Sequence, residues 1–260
     1  MSAGNELRVP GRFRKTATTS KEQPVESALW LVRHMCDHLG LDDLGDTELL
    51  DFGCGVKFTE ALINHSLPIK KYIGVDVDRE MIDFLLANVH DPRFEYFHIN
   101  AHNDLYNPDG EVLSEDTKLP IDGRAFDVIC LFSVFTHLAP HDYSTLLKLL
   151  RRYVKPDGRL FYTLFVDELT EGGHGLIDRW TKALRGKVPE ELVEYIDQNP
   201  QAGKAGTIET FRDLHPSTPL EWAVYSERYA RELTEESGWE IVELSPPDVY
   251  IQHHFVCTPR

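Results

Sequence analysis

The chain has 260 residues and a mass of 29.8 kDa, room for one large domain or one domain with an insertion at about 150 residues per domain. Hydrophobic residues make up 42% and charged residues 27%, which excludes a disordered or collagenous chain. The 43 acidic residues outnumber the 27 basic ones, for a net charge of −16. A field of that sign repels phosphate backbones and anionic lipid, so neither nucleic-acid nor membrane-surface binding is expected.

Cys36, Cys54, Cys130 and Cys257 form no C-x-x-C pair, and three of them lie in apolar or glycine-rich runs. They read as reduced thiols in a reducing compartment. The first twenty residues hold no apolar core of a secretory signal, and no run approaches 18 apolar residues. A soluble cytoplasmic protein is expected.

Residues 1–23 are polar and locally basic, with Arg8, Arg12, Arg14, Lys15 and Lys21. They read as a solvated tail or as an arm folded over a ligand. Pro24 opens a helix with Ala28, Leu31, Val32 and Met35 at helical spacing, and Gly40 suits its end. From residue 48 strands and helices alternate. ELLDFG, KYIGVDVD, FEYFHIN and FDVICLFSV read as strands one to four. KFTEALINHSL, REMIDFLLANVH and HDYSTLLKLLRRYV read as helices, the second with Ile82, Leu85, Leu86 and Val89 on one face. RLFYTLFV follows a turn at Lys155-Pro156-Asp157-Gly158 as strand five. This rhythm predicts a doubly wound α/β fold, its sheet mostly parallel. Residues 167–220 break the rhythm and read as a helical insertion or substrate lid. EWAVYSERYARELTEESG then reads as a helix, with WEIVELSPP and YIQHHFVCTP as the last of seven strands. The segments are an N-terminal arm and helix at 1–45, a core at 46–166, the insertion at 167–220, and a completing helix and strands at 221–260.

Asp51-Phe52-Gly53-Cys54-Gly55 closes the first strand and opens a helix. Its glycines let backbone approach a ligand, and the helix start offers free N–H groups. Asp51 could receive an ammonium group, which suits a ligand with an amino-acid end. The turn alone is also compatible with no ligand. Phe58 stands where a dinucleotide fingerprint needs a third glycine, so an NAD-dependent oxidoreductase is the weakest reading. Asp76 ends the second strand 21 residues after Gly55, where an acid takes ribose hydroxyls in doubly wound sheets. Its alternative is to cap the next helix, for which Asp78 is better placed. Asn100 and Ala101, ending the third strand, suit an adenine edge or an ordinary turn.

The ordered set DFGCG, GVD, the Ile99-Asn100-Ala101 turn, FDVICLFSVFTHL and KPDGRL resembles the S-adenosylmethionine-binding core of class I methyltransferases. The closing helix and strands at 221–258 resemble that family's last crossover and antiparallel seventh strand. The resemblance covers roughly two thirds of the chain. It implies S-adenosylmethionine as cofactor, with Asp51, Gly53 and Gly55 around its methionine end. It puts Asp76 on the ribose, Val77 against the adenine, and Asn100 and Ala101 at the adenine edge. Phe132 and Ser133 would border the transferred methyl. Lys57 replaces the family's usual third glycine. It would face solvent, pair with the cofactor carboxylate, or impair the site.

Methyl transfer from a sulfonium is an in-line displacement, and a hydroxyl nucleophile calls for a general base. His137 follows the fourth strand and is the expected catalytic residue, against a structural role at a helix start. His174 and His215 in the insertion, and His253 and His254 near the C-terminus, are further candidates. The amino-directed signature [DNS]-P-P-[YF] is absent after the fourth strand, and the acid of metal-dependent catechol-type enzymes is replaced by Ser133. No metal is expected. The reading is a methyltransferase acting on a small molecule at oxygen. A protein or RNA substrate is the alternative, with Arg152, Lys182, Arg185 and Lys187 as its basic groove. A non-catalytic cofactor-binding protein is another. The sequence does not address oligomeric state.

Overall fold

The computed structural model describes residues 6–13, 23–121, 123–167, 194, 198, 206–214, 218–246 and 252–260. The chain divides into two compact units. One comprises Met1–Asn100, Lys118–Leu131 and Tyr153–Phe161; the other Ala101–Thr117, Phe132–Arg152 and Tyr162–Arg260.

In the first unit α1 (Gln23–Leu39) precedes β1 (Leu44–Phe52), α2 (Lys57–Asn64), β2 (Ile69–Asp76), α3 (Arg79–Asn88), β3 (Phe94–His98) and β4 (Phe126–Leu131). β1 pairs in parallel with both β2 and β4, and β2 with β3. The buried runs Leu49, Leu50, Ile73, Val75, Val128 and Ile129 are apolar on successive residues. That is the pattern of strands covered on both faces. On α3 the buried face is Met81, Ile82 and Leu85, whereas Leu86 is 53% exposed. The expected position of Leu86 on the apolar face is thereby corrected. Leu86 lies about 100° around the axis from Leu85, which takes it off the face that Met81, Ile82 and Leu85 share.

The described arm residues 6–13 are docked on this unit. The Asn64 side chain accepts from Leu7 N–H at 2.8 Å and donates to Leu7 C=O at 3.0 Å. Phe13 meets Phe84 at a 5.2 Å ring separation, and Arg12 pairs with Glu80 at 2.9 Å.

β5 (Val154–Asp167) runs through both units. It begins before the expected turn, so Lys155-Pro156-Asp157-Gly158 is strand. Lys155 Nζ donates to Asp127 at 2.8 Å and to Glu48 at 3.1 Å. Gly158 lies against Phe126, and a Cβ there would sit 2.8 Å from the Phe126 carbonyl oxygen.

The second unit contains α4 (Pro140–Leu150), β6 (Phe211–Asp213), β7 (Ala223–Ser226), α5 (Glu227–Glu236), β8 (Trp239–Ser245) and β9 (His253–Pro259). The end of β5 pairs in parallel with β7, β7 pairs antiparallel with β6, and β8 antiparallel with β9. The strand order is β3-β2-β1-β4-β5-β7-β6, with β8 beside β9. The fold is therefore a mostly parallel α/β sheet of nine strands rather than seven. The two additions are β6, inside the expected insertion, and β7. The run Ala223-Val224-Tyr225 is wholly buried and pairs on both edges, and Ser226 caps α5 by accepting from Tyr229 N–H. The helix expected from residue 221 thus starts only at Glu227. Most of 167–220, including His174, Lys182, Arg185, Lys187 and His215, lies outside the described residues. Among the described residues no helix is long and apolar enough to cross a membrane. All four cysteines are buried free thiols.

The tight fit at Gly158 generates a prediction. Gly158→Ala must displace both the Phe126 carbonyl and the Val154 side chain, which lies 2.7 Å from the new Cβ. Overpacking of this kind costs about 1–3 kcal/mol. Urea unfolding should show that loss; an unchanged midpoint would contradict the packing described.

Candidate functional site

The strand-to-helix turn after β1 bends through two left-handed glycines, Gly53 at φ 74° and Gly55 at φ 51°. A side chain at either would be strained. Gly53 and Cys54 N–H both donate to Val75 C=O, at 2.7 and 3.2 Å. Gly55 N–H donates to Asp76 Oδ2 at 3.0 Å, and Asp78 N–H to Asp76 Oδ1 at 3.0 Å. Asp76 therefore braces the turn, while Asp78 caps α3 by accepting from Met81 N–H at 3.1 Å. Among the described residues nothing lies within 4 Å of a Cβ built on Gly55. An open backbone cradle beside a braced carboxylate fits a nucleoside with a polar tail.

Asp51 is placed differently from its neighbours. It is 3% exposed and lies at the end of β1, just before the turn. Tyr72 O–H donates to its Oδ2 at 2.6 Å, and the Cys130 thiol also donates to it. Burial pushes its carboxyl up to about 7, opposed by those two donors and reinforced by the charge of Asp76. Burial likewise raises the thiols of Cys54 and Cys130 well above their ordinary range. Lys57 starts α2 and is half-buried.

Val77 is held from an unexpected direction. His98, paired in register with Asp76, donates from Nε2 to Val77 C=O at 3.1 Å. Its Nδ1 is then the acceptor for Arg79, at 2.8 Å. Asn100 follows β3 and is exposed.

The second unit carries the other expected residues. Ala101 is buried and bridges to Glu111, while Asn107 Nδ2 donates to its carbonyl at 2.9 Å. Phe132 is half-buried and Ser133 exposed. Ser133 is left-handed at φ 57° without being glycine. Its N–H donates to Thr163 Oγ1 at 2.9 Å, and its hydroxyl pairs with the Gln252 amide at 2.9–3.1 Å. Strained positions of this kind persist where surrounding bonds over-determine them, and they cluster at active sites. His137 ends a short 3-10 turn, Phe135–His137. Its Nδ1 lies 3.1 Å from Leu220 C=O. A carbonyl only accepts, so Nδ1 carries the proton and Nε2 the lone pair. The Tyr106 ring meets the imidazole edge-on at 5.7 Å. His253 and His254 are buried on β9. Arg152, the described residue of the expected basic groove, donates to the carbonyls of Thr117 and Leu149.

Sequence reasoning missed Tyr72, His98, Gln252 and Tyr106. His98 had a signal, as the strand residue opposite Asp76. Gln252 and Tyr106 had none, because their partners lie 119 and 31 residues away in the chain.

A family model described as a methyltransferase domain matches residues 25–244. The fold is similar to magnesium protoporphyrin IX methyltransferase from Synechocystis PCC 6803, solved with bound SAH. The two share 11% identity over 96% of this chain and 92% of that one, with a TM-score of 0.54. It is also similar to the PH0226 protein from Pyrococcus horikoshii OT3, at 14% identity over 97% and 100% of the two chains and a TM-score of 0.53. The pyocyanin biosynthetic protein PhzM is similar at 14% identity over 88% of this chain and 55% of that one, with a TM-score of 0.52. At these identities the likeness is one of fold.

The burial of Asp51 has a measurable consequence. Its folded carboxyl holds a proton up to about 7, above the ordinary carboxyl value of 3.8. The stabilisation that this proton brings is therefore full in acid and is lost as pH rises through about 7, on the order of a few kcal/mol. Asp51→Asn keeps an acceptor for Tyr72 and removes the charge. Thermal melts should show the variant gaining on the wild type between pH 5.5 and 8 and melting above it at pH 8. Parallel melting curves at both pH values would contradict the assignment.

Proposed function

Because this chain belongs to the methyltransferase-domain family, we propose that it methylates a small molecule at an oxygen atom. S-adenosylmethionine, when bound, supplies a methyl group on a sulfonium, open to in-line displacement. The observation that carries the reading is Asp76. It ends β2 and braces the glycine turn through Gly55, which fixes a carboxylate at the strand end where ribose hydroxyls would be taken. Gly53 and Gly55 clear the backbone for the methionine end, and the buried Asp51 supplies negative charge beneath it. Val77, fixed by His98, lies against the adenine, with Asn100 at the adenine edge. In the second unit Ala101 has the same assignment, and Phe132 and Ser133 border the methyl.

His137 is the proposed base. Its Nδ1–H is committed to Leu220, so Nε2 can take the proton of the attacking hydroxyl. Ser133, locked by Thr163 and Gln252, lends a hydroxyl to orient the acceptor. The acidic balance of −16 favours a small acceptor over nucleic acid. A similar fold in an enzyme named for magnesium protoporphyrin IX agrees with that choice. The four buried thiols support a reducing compartment, the cytoplasm.

Three measurements test the proposal. Calorimetry should show S-adenosylhomocysteine binding at micromolar strength or tighter and no heat with NAD. Asp76→Ala should weaken that binding by about 1.5–3 kcal/mol, through lost charge-assisted bonds. No binding of either S-adenosyl ligand sinks the reading.

Lys57→Gly separates the roles of the lysine. A weaker complex means that Lys57 pairs with the cofactor carboxylate, and an equal or tighter one removes that pairing.

His137→Ala should lower S-adenosylhomocysteine formation on a responsive hydroxyl acceptor by about 10²–10⁴, with cofactor affinity kept. Turnover within about threefold of wild type would return His137 to a structural role.

A further inference from the structure

We propose that Asp51 makes cofactor binding proton-linked: the ammonium of an arriving S-adenosyl ligand expels a proton from the buried carboxyl. The inference rests on the cofactor reading above, which puts the amino-acid end of the ligand over the glycine turn.

The groups facing Asp51 come from every strand around it. Tyr72 and Asp76 belong to β2, Tyr96 to β3 and Cys130 to β4, while Cys54 is in the turn and Cys36 of α1 faces Cys130. The phenols and thiols are all raised by burial and stay neutral near pH 7. Only Asp76 is charged, and its sign is the same as that of Asp51. Among the described residues no lysine, arginine or histidine bonds to Asp51. Its donors, the Tyr72 hydroxyl and the Cys130 thiol, are neutral hydrogen-bond partners and do not replace a counter-charge. A buried carboxyl in such a place keeps its proton unless a cation comes near.

Asp51 lies two residues before Gly53, its charge is felt by Cys54 within the turn, and the same turn carries the backbone at Gly55, which is open among the described residues. An ammonium set there acts through the field across the turn, since Asp51 itself is buried. The balance is simple. The neutral carboxyl becomes a carboxylate facing the ligand ammonium, and its proton passes to buffer. No bond to carbon changes. Burial pushes the carboxyl up to about 7. Affinity should therefore climb as pH rises toward 7 and level off above it.

The test is calorimetry of the full chain with S-adenosylhomocysteine in phosphate and in imidazole, whose ionisation heats differ. At about pH 6.5 roughly half a proton or more should be released per ligand, and nearly none at about pH 8.5. The dissociation constant should fall severalfold from about pH 5.5 to 7. 5′-Methylthioadenosine has the same nucleoside and sulfur without the amino-acid end, and it should release no proton. Asp51→Asn should remove the release and flatten the pH dependence. Buffer-independent heat for S-adenosylhomocysteine at about pH 6.5 overturns the proposal while leaving the cofactor reading intact. Equal proton release by 5′-methylthioadenosine, or by Asp51→Asn, overturns it as well. Absence of S-adenosylhomocysteine binding at every pH removes both readings. Should the variant fail to fold, the comparison of the two ligands on wild-type protein decides.

Discussion

The strand-to-helix turn of the first unit depends on one hydrogen bond, from Gly55 N–H to the Asp76 carboxylate at 3.0 Å. It ties the turn after β1 to the end of β2. Two further N–H groups of that turn, at Gly53 and Cys54, reach Val75 C=O on the same strand. A turn pinned this closely to the neighbouring strand must bend through the left-handed region twice, which is why glycine stands at 53 and 55. Asp76 then holds Asp78 N–H as well, so its carboxylate is fixed before any ligand arrives. Preorganisation of this kind lowers the entropy lost on binding.

Just before the braced turn lies a group that ordinary packing would not choose. An apolar residue at position 51 would fill the space between β2 and β4 at no desolvation cost. A carboxyl there gives up hydration for two neutral donors. Local rules are broken in this way where a site needs charge in reserve. Burial pushes the Asp51 carboxyl up to about 7, because the two neutral donors do not replace the lost hydration.

The fold was legible in the sequence wherever one residue pattern fitted one element. Short apolar stretches, Leu49-Leu50, Tyr72–Val75 and Val128–Phe132, marked β1, β2 and β4, and Asp78 marked the start of α3. The reading failed where two elements abut without glycine or proline between them. Ala223–Ser226 and Glu227–Glu236 follow each other directly, and helical formers after Ser226 drew the strand into the helix. β6 is three residues long and too short to show a period. At the site, Asp51, Gly53, Gly55 and Asp76 were legible because local spacing defines them. Tyr72 was hidden because its role depends on the parallel register that brings β2 beside β1, a tertiary fact.

That contrast extends to the second unit. Ser133 keeps a backbone angle that favours glycine, and the bonds that hold it come from Thr163 and Gln252, 30 and 119 residues away. His137 is oriented by Leu220, 83 residues on, and by the Tyr106 ring. No window of sequence contains this constellation. The glycine-turn cluster is assembled from one turn and the strand beside it, so a short motif announces it. The cluster around Ser133 and His137 is assembled from five distant segments, each unremarkable alone. A site of the first kind is legible in a short stretch of sequence, whereas one of the second kind is encoded only in how distant segments meet.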